Sequence, residues 1–398
     1  MLAFWIATLV AAFALGRLST SPETPSTPEE MAAAVRAALA EGDQLERAEQ
    51  VTSHLEHLDP GNLSAVRAVY DRLIPVIDKC DIRPFVSAWA RFDPAGALVH
   101  SAAWRYKIKQ EIGVEAALYA WALQDPLAAR LAYEQLAMDS PNLEEVAFLN
   151  LVTGWAHSGE EGLVSYIAGL EPMAKGKATG LVVGVLSRKD GADAIEPWAE
   201  AVLADAASDR NFKMSTFRRG ARSIARWDPE RAAAWAMQHA GNDYAEDGPR
   251  IVAEEWADQD GEAALEWLRE LPAGEPRDEA VRGAFVQWLK SDASGAEQWL
   301  SSETLTAFHD PAVNAYARRL DSSAPAQAVG WCERILGPDR RRGCLKTAAT
   351  HWYQQDAVAA EAWLQQSPLD EEARRAVRAP PVKRQRRRVG PAANEDAL

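Results

Sequence analysis

Cysteine is scarce in this chain of 398 residues, with only Cys80, Cys332 and Cys344. That scarcity excludes a dense disulfide framework and any zinc site of four thiolates. Cys332 and Cys344 read as buried small hydrophobes, with a disulfide open to them only in an oxidising compartment. Positive charge is also short. Lys and Arg number 43 against 58 Asp and Glu, for a net charge of -15. An acidic body argues against broad nucleic-acid binding through the folded part. Sustained alternation of apolar and polar residues is missing, so almost no strand is expected; the apolar run from Leu181 to Leu186 is the one strand candidate.

Signatures of chemistry are thin as well. His54-Leu55-Glu56-His57 lacks the zinc-protease spacing and reads as a solvated helix face. Lys175-Gly176-Lys177-Ala178-Thr179-Gly180 lacks the upstream Gly and the preceding strand of a phosphate loop. No Gly-x-Ser-x-Gly elbow occurs. No catalytic residue, metal ligand or cofactor is therefore expected, and the chain reads as a non-enzyme.

What is present starts at the two ends. Met1 to Gly16 is an apolar run of 16 residues broken only by Thr8. As a helix it would measure roughly 24 Å, just short of a spanning segment of about 17–25 residues. Ala12-Phe13-Ala14 suits a cleaved signal peptide, whereas Phe4, Trp5, Phe13 and the Gly16-Arg17 stop suit a retained anchor. The anchor is preferred, which makes residues 1–17 a membrane segment and the protein a single-pass, signal-anchored one with its body periplasmic. Ser19 to Pro28 holds three Ser, three Thr and three Pro. Residues 18–28 are thus a linker, extended at roughly 3.1 Å per residue. At the other end, Lys383, Arg384, Arg386, Arg387 and Arg388 make residues 381–398 a basic tail, leaving -18 on the rest. This tail is either a solvated, disordered end or a contact for an anionic surface such as lipid headgroups.

The dominant signal is a repeat. Trp235, Trp267, Trp299, Trp331 and Trp363 are spaced 32 apart, and Ile224, Trp256, Trp288, Leu320 and Trp352 each precede one of them by eleven. Call the earlier position A and the later one B. The template runs back through A at Trp89, Trp121, Trp155 and Ser187, and through B at His100, Ala132, Tyr166 and Trp198. Nine copies result, 32 apart except for single spacings of 34 and 37, and they absorb twelve of the fifteen Trp. Chance does not produce that, so the chain is internally repetitive.

Four residues after A, Asp recurs at 93, 125, 228, 260, 292 and 356, with Pro following at 94, 126 and 229. Asp then Pro is the start of a helix: the carboxylate accepts from free amides and Pro suits the first turn. Three residues before B, Ala recurs at 97, 129, 232, 264, 296, 328 and 360. A small residue beside a large ring on one helical face lets helices approach. The copy is helix, tight turn, helix, loop, as in Glu279 to Lys290, Ser291-Asp292, and Ala293 to Leu300. Each ring is expected to hide against the next copy, with off-register Trp104 and Trp227 the candidates for exposure.

Asp260-Gly261-Glu262-Ala263-Ala264-Leu265-Glu266-Trp267 through Leu271-Pro272 resembles the second helix of a tetratricopeptide unit, as does Gly42-Asp43 through Pro60-Gly61-Asn62. The departure is Trp near the end of the first helix, where that family's pattern has Leu-Gly and Tyr earlier in it. The resemblance implies a protein-binding scaffold and carries over no binding residues. The expected fold is all-α, an α-solenoid of about nine helix-turn-helix units of about 32 residues over 29–380, with 29–80 as a cap, 81–380 as the repeats and a hydrophobic helix in front. The expected function is a membrane-tethered, non-catalytic scaffold for an unknown protein or peptide, held to the membrane through residues 2–16. Two alternatives stand beside it: an α/α-ring enzyme with carboxylate chemistry, and docking of anionic lipid or nucleic acid through the tail.

Overall fold

The computed structural model describes residues 27–379, and among them the chain is helical with no strand. It divides into two compact units, Met1–Lys189 and Asp190–Leu398. The division falls where the repeat spacing stretches to 37, between Ser187 and Ile224.

The first unit holds α1 (Pro28–Leu39), α2 (Gln44–Leu55), α3 (Leu63–Leu73), α4 (Ile82–Ala90), α5 (Pro94–Ala102), α6 (Lys107–Gln124), α7 (Pro126–Asp139), α8 (Glu144–Ser158), α9 (Leu163–Ala168) and α10 (Pro172–Lys189). The second holds α11 (Ala192–Ala204), α12 (Arg210–Trp227), α13 (Pro229–Gln238), α14 (Gly248–Trp256), α15 (Gly261–Glu270), α16 (Glu275–Ser291), α17 (Ala293–Ser302), α18 (Asp310–Leu320), α19 (Pro325–Glu333), α20 (Pro338–Gln355), α21 (Ala357–Gln366) and α22 (Glu371–Arg378). Within each unit the first helices of successive pairs touch in a row. That row is α4, α6, α8 and α10 in the first unit, and α12, α14, α16, α18 and α20 in the second. Where both helices of a pair lie in one unit, the second packs on the first, and α11, which opens the second unit, packs on α12.

The joint inside a pair is the same wherever position A+4 is Asp. The N–H at A+4 donates to the carbonyl of A, at 2.7 to 3.1 Å for Asp93, Asp125, Asp228, Asp260, Asp292 and Asp356. Each of these carboxylates then accepts from the N–H three residues on, as in Asp260 from Ala263 at 3.0 Å and Asp356 from Ala359 at 3.0 Å. One residue thus ends a helix and starts the next. At Gly159 the backbone instead turns left-handed, φ 74, a conformation that Gly adopts without steric cost. Ala324 keeps the backbone of the joint, φ -147 and ψ 62, but has no side-chain acceptor. Ala324→Asp is expected to raise the stability of the full chain by about 1 kcal/mol, read from its urea midpoint.

In the five pairs with a ring at both A and B, the two rings meet. Centroids lie 5.2 Å apart for Trp89 and His100, 5.4 Å for Trp155 and Tyr166, 6.0 Å for Trp256 and Trp267, 5.8 Å for Trp288 and Trp299, and 6.3 Å for Trp352 and Trp363. Where A is aliphatic, the B ring turns to another aromatic of the first helix: Trp235 to Phe217 at 4.8 Å, Trp331 to Tyr316 at 5.1 Å. The first aromatic partner is thus in the same copy, and neighbouring copies add contacts, as Gly261 does against Trp288 and Glu333 does by accepting from Trp363 Nε1 at 2.9 Å. The Ala residues three before B are fully buried, as their small size requires.

Other expectations change. Trp104 is buried, because Gly113 on α6 leaves room for its ring, whereas Trp227 is 64% exposed. Leu181 to Leu186 lies inside α10 and is helix. The expected linker is shorter at its end: Thr27 is the N-cap of α1, in a reciprocal capping box with Glu30. Among the described residues no helix is long and apolar enough to cross a membrane. The longest, such as α6, carry Lys107, Lys109, Glu111 and Glu115 and are half solvated. That finding overturns the transmembrane, signal-anchored, single-pass localisation; the apolar run at residues 2–16 lies outside the described residues.

Cys332 of α19 and Cys344 of α20 form a disulfide, with Cα atoms 5.5 Å apart, rather than two buried thiols. It ties a second helix to the following first helix across twelve positions. Thiol titration of the denatured, unreduced chain should read Cys80 alone. Reduction should lower stability by about 3 kcal/mol, seen as a lower urea midpoint.

Candidate partner-binding surface

The row of first helices in each unit is held by side chains that reach back to the preceding copy. Gln at A+3 does this three times: Gln124 Nε2 donates to the Ala90 carbonyl at 3.1 Å, Gln259 to Ala225 at 3.1 Å, and Gln355 to Ser322 at 2.8 Å. Each amide covers a helix-end carbonyl left open by the turn. Basic residues early in the next first helix cover the ends of second helices: Arg277 reaches the Leu271 carbonyl at 3.3 Å, and Arg341 the Ile335 carbonyl at 3.2 Å. The first helices of each unit are thereby set in register, and each unit carries its own surface.

In the first unit it is an apolar groove of about 420 Å³ over α2, α4 and α6, walled by Leu55, Pro84, Ser87, Tyr119 and Leu123. Leu123 is 43% exposed. Arg91 pins one wall through the Leu55 carbonyl at 2.7 Å. Tyr119 packs edge-on against His157 of α8, centroids 5.7 Å apart. The groove therefore has fixed walls and an open floor of carbon.

In the second unit the row of first helices carries charge. Six residues before A stand Arg218, Arg250, Arg282 and Lys346, with Asn314 between the last two. Ion pairs knit most of them: Arg218 to Asp247 at 2.5 Å, Arg250 to Asp247 at 3.4 Å and to Glu254 at 3.0 Å, and Arg282 to Glu279 at 2.6 Å. The Arg282 hydrogen bond holds the Glu279 carboxyl below its ordinary range, against the opposite effect of partial burial. These cations obey the period of 32 already visible in the Trp residues, so the same template extended to polar positions finds them.

The sequence candidates fall elsewhere. Lys383, Arg384, Arg386, Arg387 and Arg388 lie outside the described residues. Lys175 to Gly180 is continuous helix within α10, which leaves no loop to cradle a phosphate. His54 ends α2, and His57 follows it with Nδ1 3.1 Å from the Ser53 carbonyl oxygen. No group of three or more His, Cys, Asp or Glu among the described residues could hold a metal ion. Comparison with known proteins returned no matching family model, no matching curated protein and no matching solved structure.

Proposed function

We propose that this protein is a non-catalytic scaffold that binds an extended peptide or a partner protein, each of its units being a tetratricopeptide-like α-solenoid of helix-turn-helix pairs. The observation that carries this reading is the groove bounded by Leu55, Pro84, Tyr119 and Leu123 on the first-helix row. Pinned walls with an exposed apolar floor suit helix-in-groove or extended-peptide docking, since little ordering cost remains on the scaffold side. The repeated joint supports it too, because copies held in one register present a continuous face.

Peptides selected from a random library on the full chain test the reading. Selected sequences should share an apolar core, and Leu123→Glu should weaken them at least tenfold. Selection without enrichment, or binding untouched by Leu123→Glu and Ser87→Arg together, would overturn it.

A further inference from the structure

The second unit carries a larger pocket of about 570 Å³ between α18 and α20, with Arg318, Arg340, Lys346 and His351 in its lining and no carboxylate. Its origin is a mismatch of helix length. First helix α18 has 11 residues, whereas the flanking α16 and α20 have 17 and 18. The shortfall is split between the two ends of α18 and leaves a narrower gap at its N-terminal end, part-filled by a 3-10 turn over Ala307–His309. Arg340 crosses that gap from α20 to Asp278 of α16 at 2.9 Å.

The same mismatch occurs two copies earlier, 64 residues back, where α14 has 9 residues and lies before α16. The pocket there, about 420 Å³, is lined by Glu246, Asp247, Glu275 and Glu279 as well as Arg250 and Arg282. It neutralises itself through the ion pairs already described. Advancing 64 positions replaces Asp247 by Pro311, Glu254 by Arg318 and Glu279 by Gly343, while Arg282 becomes Lys346. Three carboxylates are gone and a cation has been added. Of the two acidic positions that remain, Asp310 is buried and spends both carboxylate oxygens on the Leu336 and Gly337 amides, at 2.8 and 2.7 Å, and Asp339 is exposed outside the lining, 3.9 Å from Arg342. Asp321 faces His351 at 3.4 Å. Arg318 and Lys346 are exposed, Arg318 acts electrostatically on the Asp321 carboxyl, and no carboxylate lines the pocket with them.

From this we infer that the pocket between α18 and α20 is an oxyanion site that takes a carboxylate or phosphoryl group of a ligand, with Arg318 as the planar fork and Lys346 as the point charge. An exposed Arg and Lys in a lining free of carboxylates select for anions at short range, where salt screens them least. The inference goes beyond the scaffold reading and holds whether or not the apolar groove binds anything.

Calorimetric titration of the full chain at low ionic strength tests it, with inorganic phosphate and a Glu-rich peptide as probes and a Lys-rich peptide as control. At least one anionic probe should bind, and its affinity should fall as salt is raised. The double variant Arg318→Ala/Lys346→Ala should lose tenfold or more, while Arg282→Ala in the self-neutralised pocket should not. Both substituted side chains are exposed, so an unchanged melting curve separates lost binding from lost fold. Binding of phosphate alone assigns a phosphoryl ligand, and binding of the acidic peptide alone a carboxylate one. Absence of binding by both at millimolar concentration, or equal binding by the double variant, would overturn the site.

Discussion

Trp235→Ala should cost about 4 kcal/mol, against less than about 1 kcal/mol for Trp227→Ala. Trp235 is 1% exposed. Its ring stacks on Phe217 at 4.8 Å and meets His239 edge-on at 5.2 Å. Its Nε1 donates to Glu200 at 2.5 Å. Truncation empties a space bounded by α11, α12 and α13 and removes the ring that joins the last two of these. Glu200 keeps its contact with His239 at 2.7 Å and remains partly solvated, so the cavity rather than an orphaned carboxylate supplies most of the loss. Trp227, one residue before the Asp228 joint, projects largely into solvent, so little packing goes with it. Urea unfolding of both variants checks the contrast. Equal losses would mean that the period of 32 does not mark the core.

That contrast also shows what was legible in the sequence. Position within the period separated Trp235 from Trp227 because a fold made of copies turns the same site inward, and the Trp on it are buried or half-buried where Trp227 is exposed. Asp at A+4 was equally legible, since capping depends on local backbone alone. Trp104 was not. It lies off the period, and its burial depends on Gly113, nine residues away on another helix, where a Cβ would come within 2.6 Å of the ring. The pairing of A with B inside one copy was also hidden, because spacing along the chain does not say which neighbour a ring will face. The candidate surfaces were hidden for a different reason. The groove follows from the alignment of three helices, and the basic pocket from unequal helix lengths. The cations six before A keep the same period, but a charge on a solvated helix face does not by itself mark a site.

Gly154 and Gly176 lie inside long helices of the first unit, and alanine should act on them with opposite sign. Ala is better than Gly in a helix interior by about 0.8–1.0 kcal/mol, so an unobstructed site gains. At Gly176 in α10 an added Cβ meets nothing within 4 Å, and Gly176→Ala should stabilise by close to that amount. At Gly154 in α8 the added Cβ would lie 2.6 Å from the Tyr119 carbonyl oxygen and 2.8 Å from the Ala122 Cβ, both on α6. Neither is the end of a flexible side chain, so the two helices must separate. That movement opens the packing along the α6–α8 contact and strains the Gln124 bond to the Ala90 carbonyl. Gly154→Ala should therefore lose about 1–3 kcal/mol net of the helix gain, and Gly154→Leu more. Urea midpoints of the two alanine variants of the full chain read the sign directly. Stabilisation by both would mean that α6 and α8 stand further apart than described, and the walls of the neighbouring groove, built on Tyr119 and Leu123 of the same helix, would have to move with them.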